Sequence, residues 1–80
     1  MKTDAEGSAL PLFTLYVDSP VGRSFRFVRV PAYAIPDQCP PKLRGMAVFA
    51  AHYLSYDPVG TRFRLSDPAS AAVTWIERVR

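Results

Sequence analysis

Prolines recur along nearly the whole of this 80-residue chain, at Pro11, Pro20, Pro31, Pro36, Pro40, Pro41, Pro58 and Pro68. Each ring removes a backbone donor and fixes φ, so an interior proline ends or kinks a helix and is shed from a central strand. That spacing excludes a long coiled coil or a helical bundle. It leaves a fold of short elements joined by shaped turns.

Size sets the next bound. Eighty residues make one domain, and a chain this short buries only about 60–65% of its unfolded surface. The lone cysteine, Cys39, can form no internal disulfide, so packing alone must hold the fold. A single thiol fits a reducing, cytoplasmic setting. Apolar residues are 49% of the chain and the net charge is +3, which is too apolar for a disordered segment. Because no apolar run approaches the roughly 18 residues that span a bilayer, no membrane association is expected. Residues 1–9 contain Asp4 and Glu6 and no apolar signal core, and they read as a polar tail. The single domain is expected over residues 10–80.

Leu12–Val17 is rich in β-branched, aromatic and aliphatic residues and predicts a strand with Phe13, Leu15 and Val17 on one face. Ser19-Pro20-Val21-Gly22 carries proline and glycine where a tight turn favours them. Arg23–Val30 then reads as a second strand, paired antiparallel through the short turn. Residues 31–41 hold four prolines and predict an extended crossover with no regular element, with Tyr33 and Ile35 against the fold. Pro41 suits the first turn of a helix running from Lys42 to about Tyr56. On it Leu43, Ala47, Ala50 and Leu54 make an inward stripe that Met46, Phe49 and Tyr53 widen. Thr61–Ser66 alternates and predicts a third strand.

Ala69–Arg80 supports two readings. As a helix it buries Ala72, Trp75, Ile76 and Val79. As a strand over Val73–Ile76 it turns Val73, Trp75 and Val79 inward and leaves Glu77 as a misfit. The fold class is therefore α+β: a small antiparallel sheet of three to four strands, in the order β-β-α-β-β, with one helix on one face and a C-terminal segment that is a fourth strand or a second helix.

One pattern occurs twice. Pro20-Val21-Gly22-Arg23-Ser24-Phe25-Arg26-Phe27 aligns with Pro58-Val59-Gly60-Thr61-Arg62-Phe63-Arg64-Leu65, identical at five of eight positions. Turn-then-strand chemistry explains the echo without a duplication. The clean alternation of the second copy puts Phe63 and Leu65 inward. Carried back to the first, it puts Phe25 and Phe27 inward and Arg26 outward. Tyr16, Arg23, Arg26, Arg62 and Arg64 then mark one sheet face as the candidate partner-binding surface, since arginines around an aromatic on rigid strands make recognition surfaces. The competing explanation is that exposed strand positions need polar residues and that arginine blunts sheet edges.

Catalytic chemistry finds no support. His52 has no acid at helical spacing, and Cys39 lies between Gln38 and Pro40 with no group to lower its pKa. Asp18, Asp57 and Asp67 read as turn and cap residues. One cysteine and one histidine build no ordinary zinc site, and the four glycines form no phosphate loop. No cofactor, metal or catalytic residue is assigned.

Arg23–Val30 resembles the RNP1 strand of RNA-recognition motifs, with Arg23, Phe25, Phe27 and Val28 matching its basic, aromatic, aromatic and valine positions. Ser24, Arg26 and Val30 depart from it, and there is no room before Leu12 for the first half of such a domain. The resemblance implies that Phe25 and Phe27 stack on bases, whereas the echo makes them core.

The expectation drawn from all this is a non-enzymatic protein-binding module acting on a larger protein or ribonucleoprotein complex, as a monomer or homodimer. Its abundant Ala, Arg, Pro and Val fit a GC-rich bacterial or phage genome. In its most concrete form it is a phage or mobile-element inhibitor of a host nucleic-acid-processing complex, of the anti-CRISPR type. It would cover a partner with an Arg/aromatic sheet face and would not mimic DNA, which needs dense negative charge. The alternative is a small nucleic-acid-binding protein using the same arginines.

Overall fold

The computed structural model describes residues 10–65 and 71–80. The expected tail at residues 1–9 lies outside them, as does Asp67. Four antiparallel strands form one sheet: β1 (Leu12–Ser19), β2 (Gly22–Pro31), β3 (Arg62–Leu65) and β4 (Val73–Arg78). A 3-10 turn (Ala32–Ala34) and two helices, α1 (Ile35–Gln38) and α2 (Pro41–Leu54), connect β2 to β3.

The α+β class holds, with a fourth strand where the C-terminal segment had two readings. The succession β-β-α-β-β with one helix does not hold. A second short helix precedes the long one, and the strands lie in the order β2-β1-β4-β3. The first and last strands of the chain thus pair at the centre of the sheet, with Leu15 opposite Ile76 and Tyr16 opposite Trp75.

Both helices pack on one face. Phe13, Leu15, Phe27, Leu65 and Ile76 from the sheet meet Ile35 and Cys39 and the α2 stripe of Ala47, Ala50, Ala51 and Leu54. Alanines at these helical positions allow a close approach of helix to sheet. Phe49, Tyr53 and Met46, expected to widen the stripe, are instead exposed, because the helix turns Ala47, Ala50, Ala51 and Leu54 into the core and leaves these three on its flank. Pro41 opens α2 at its first position, as expected. At the other end, Arg78 reaches across from β4, and its Nη1 donates to Ser55 O at 3.1 Å and to Asp57 O at 2.7 Å. These bonds satisfy carbonyls that the end of a helix leaves open.

The proline-rich crossover is more ordered than its composition predicts. Pro36 sits at a permitted position in the first turn of α1, and Ile35 is fully buried. Tyr33, expected against the fold, points to solvent.

The decisive irregularity is in β2. Opposite the four residues Phe13–Tyr16 it uses six, Phe25–Val30, because the register shifts twice. One extra residue falls at Arg26, between Phe25 opposite Tyr16 and Phe27 opposite Leu15. The second falls near Arg29, which sits in the left-handed region at φ 56°. Its N–H donates to Thr14 Oγ1 at 3.1 Å, which anchors the bulge to β1.

Candidate functional site

The face of the sheet away from the helices carries Asp18, Tyr16 and Thr14 on β1, Arg23 and Phe25 on β2, Trp75 and Glu77 on β4, and Arg62 and Arg64 on β3. None of these belongs to the hydrophobic core between sheet and helices.

Tyr16 organises this face. Its phenolic hydroxyl accepts a hydrogen bond from Arg62 Nη1 at 3.0 Å and donates to Glu77 Oε1 at 3.3 Å. The Arg23 guanidinium lies 4.1 Å from the centre of its ring, and the Phe25 ring is tilted against it at 6.0 Å. Arg62 stacks in turn on Trp75, 4.0 Å from the ring centre. Two guanidinium–aromatic stacks thus lie side by side, each contributing about 0.5–1 kcal/mol at an exposed site. Arg23 is also gripped by Asp18, through Nε to Oδ1 at 2.7 Å and Nη2 to Oδ2 at 3.3 Å. That hydrogen bond, aided by the charge of the carboxylate, raises the Arg23 pKa further above its ordinary value. Arg64 lies opposite Trp75 in register, and its guanidinium has no partner among the described residues.

Of the five residues expected here, Tyr16, Arg23, Arg62 and Arg64 share the face. Arg26 does not. As the bulge residue it turns to the helix side, where it lines an open cleft of about 280 Å³ with Val17, Pro40, Lys42 and Leu43. Tyr16, expected to be displayed, is only 2% exposed, because Arg23, Phe25 and Arg62 cover it. The echo also misplaced Phe25. It is 55% exposed on the outer face while Phe27 is buried, since the extra residue between them breaks the alternation.

Two members of the face, Trp75 and Glu77, escaped the strand reading, which turned Trp75 inward. The signal was present in the misfit itself. Turning Glu77 outward carries Trp75 out with it and sends Ile76 into the core, where it is fully buried.

Elsewhere, Cys39 is buried, and desolvation raises its pKa, with Arg44 pulling weakly the other way. Its thiol is therefore held in the unreactive form. His52 is exposed, with the rings of Tyr53 and Tyr56 at 5.5 and 5.6 Å. Among the described residues, no cluster of His, Cys, Asp and Glu could hold a metal ion, and no helix is long and apolar enough to cross a membrane.

Comparison with protein-family models, curated proteins and solved structures returns no match, so the functional reading rests on these residues.

Proposed function

We propose that this protein is a binding module whose outer sheet face docks on the acidic or mixed-charge surface of a larger protein or ribonucleoprotein complex. The observation that carries this reading is the stacked pair Arg23–Tyr16 and Arg62–Trp75, flanked by the exposed ring of Phe25 and by Arg64, whose guanidinium has no partner among the described residues. Arginine and aromatic side chains dominate the energetics of protein interfaces. Stacking and hydrogen bonding fix these in place beforehand, which lowers the entropy lost when a partner docks. A small inhibitor of a nucleic-acid-processing complex, of the anti-CRISPR type, is the concrete form of this reading. With a net charge of +3 it would meet acidic surfaces and not imitate DNA.

Affinity capture from a bacterial lysate, read by mass spectrometry, tests it. The wild-type protein is expected to retain a discrete partner that the double variant Arg23→Glu, Phe25→Ser loses, with the thermal midpoints of the two proteins within a few degrees. Equal capture by both would remove the sheet face from the function.

The exposure of Phe25 beside Arg23 favours a second reading, single-stranded nucleic acid stacked on the same face. A binder contacting several phosphates weakens steeply between about 50 and 200 mM salt. No binding to short DNA or RNA at about 50 mM salt would eliminate this reading.

A further inference from the structure

β3 is an edge strand. It pairs with β4 on one side and, among the described residues, with nothing on the other. Its backbone pattern shows which groups are open. Gly60 N–H donates to Arg78 O at 2.8 Å, and Arg78 N–H donates to Thr61 O at 3.0 Å. Two residues along, the alternation of an antiparallel ladder makes Phe63 and Ile76 the next mutually bonded pair. The N–H and C=O groups of Arg62 and Arg64 therefore face the open edge.

The side chains along this edge divide by face. Arg62 and Arg64 lie on the outer face, and Phe63 lies on the helix side. Phe63 is 43% exposed there, because it opens into a groove of about 440 Å³ shared with Phe49, Tyr53 and Leu54. Phe49 and Tyr53 hold each other edge to face at 5.0 Å and are both more than half exposed. An unpaired strand edge beside an open aromatic groove is the geometry in which an added strand gains main-chain bonds from the edge and specificity from the pocket.

We propose that the open edge of β3 and the adjoining groove take an extended segment of a partner protein as a fifth strand, with acidic side chains opposite Arg62 and Arg64 and an apolar side chain between them, opposite Phe63. The sheet already holds the template for this choice. On its closed side, β3 meets Glu77 opposite Arg62, Trp75 opposite Arg64 and Ile76 opposite Phe63. The acidic–apolar–acidic segment repeats the Glu77 and Ile76 pairings on the open side and adds a carboxylate opposite Arg64, whose guanidinium has no partner among the described residues. Charge also argues against a second copy of this chain. Two β3 edges joined about a two-fold axis at Phe63 would set Arg62 of each copy directly opposite Arg64 of the other, a repulsive arrangement.

The proposal deepens the binding-module reading and rests on it for the protein's general role, but it uses the β3 edge and not the Arg23–Phe25 side of the face. The probes are three capped synthetic peptides titrated into the full-length protein by fluorescence anisotropy: Thr-Glu-Ile-Glu-Val, its lysine counterpart Thr-Lys-Ile-Lys-Val, and the scrambled Glu-Glu-Thr-Ile-Val. The first is expected to bind about tenfold or more tighter than the other two and to slow hydrogen exchange at the Arg62 and Arg64 amides. Arg64→Glu should abolish the preference for the acidic peptide over the lysine peptide, because each peptide then meets one attractive and one repulsive charge, at Arg62 and at position 64. Phe49→Asp, at a position exposed enough to leave the fold intact, should weaken binding about tenfold. Equal affinity of the unsubstituted protein for the three peptides, an undiminished preference in Arg64→Glu, or self-association of the free protein by light scattering would overturn the proposal. The Arg23→Glu, Phe25→Ser variant keeps the two readings apart. Peptide binding should survive in it although lysate capture is lost, and failure of the peptide test beside a successful capture would sink the edge proposal alone.

Discussion

The stretches Pro20–Phe27, leading into β2, and Pro58–Leu65, leading into β3, match at five of eight positions, yet their aligned phenylalanines, Phe25 and Phe63, face opposite sides of the sheet. In β3 the alternation is unbroken, so Phe63 and Leu65 both turn to the helices. In β2 the extra residue at Arg26 turns Phe27 to the helices and Phe25 outward. The difference comes from what each strand pairs with. β2 must match β1 past two register shifts, one of them anchored by the Thr14 hydroxyl. β3 meets β4 over only four regular pairs. The same turn chemistry precedes both, with Gly22 at φ 133° and Gly60 at φ 97°, so the turns do not account for the difference.

Burial ranks the substitutions that test this contrast. Phe27→Ala removes a buried ring from the centre of the core and is expected to cost about 3–5 kcal/mol in urea unfolding. Phe63→Ala should cost roughly half of that, about 1.5–2.5 kcal/mol, because its ring is only partly withdrawn from water. A loss at Phe63 equal to that at Phe27 would mean the groove is closed in solution. Thr14→Val strips the acceptor from the Arg29 amide at the second shift and should cost about 1 kcal/mol. If stability is unchanged, that hydrogen bond does not hold the bulge.

Smaller effects follow on the outer face and at the strained residue. Phe25→Ala is expected to cost under about 1 kcal/mol, as exposed positions do. A cost near that of Phe27→Ala would restore Phe25 to the core and refute the bulge at Arg26. Arg29→Gly relieves a left-handed conformation and should leave stability unchanged or raise it by up to about 1 kcal/mol. A clear loss would show that the arginine side chain, and not the backbone conformation, is what that position needs.

Local sequence was enough for elements whose reasons lie within a few residues. The Ser19–Gly22 turn, the opening of α2 at Pro41, the Ala47, Ala50 and Leu54 stripe and the alternation of β3 are of this kind. So is the shared outward placement of Tyr16, Arg62 and Arg64, because period-two arithmetic on regular strands needs no partner. Arg23 keeps step with Phe25 and reaches that face only because Phe25 turns outward, against the alternation read from the sequence. Partnership decided the rest. Whether Arg26 continues the alternation depends on β1, whose Thr14 is 15 residues away from the Arg29 it bonds. Whether Trp75 faces in or out depends on Ile76 meeting Leu15 across the centre of the sheet, 61 residues apart in the chain. Local propensity is set by neighbours along the chain, and the register of a strand is set by the strand beside it. Local sequence therefore determined β1, β2, β3, the Ser19–Gly22 turn and the long helix, because their signals lie within a few residues; the packed sheet decided that the C-terminal segment is a strand and which side each aromatic ring would serve.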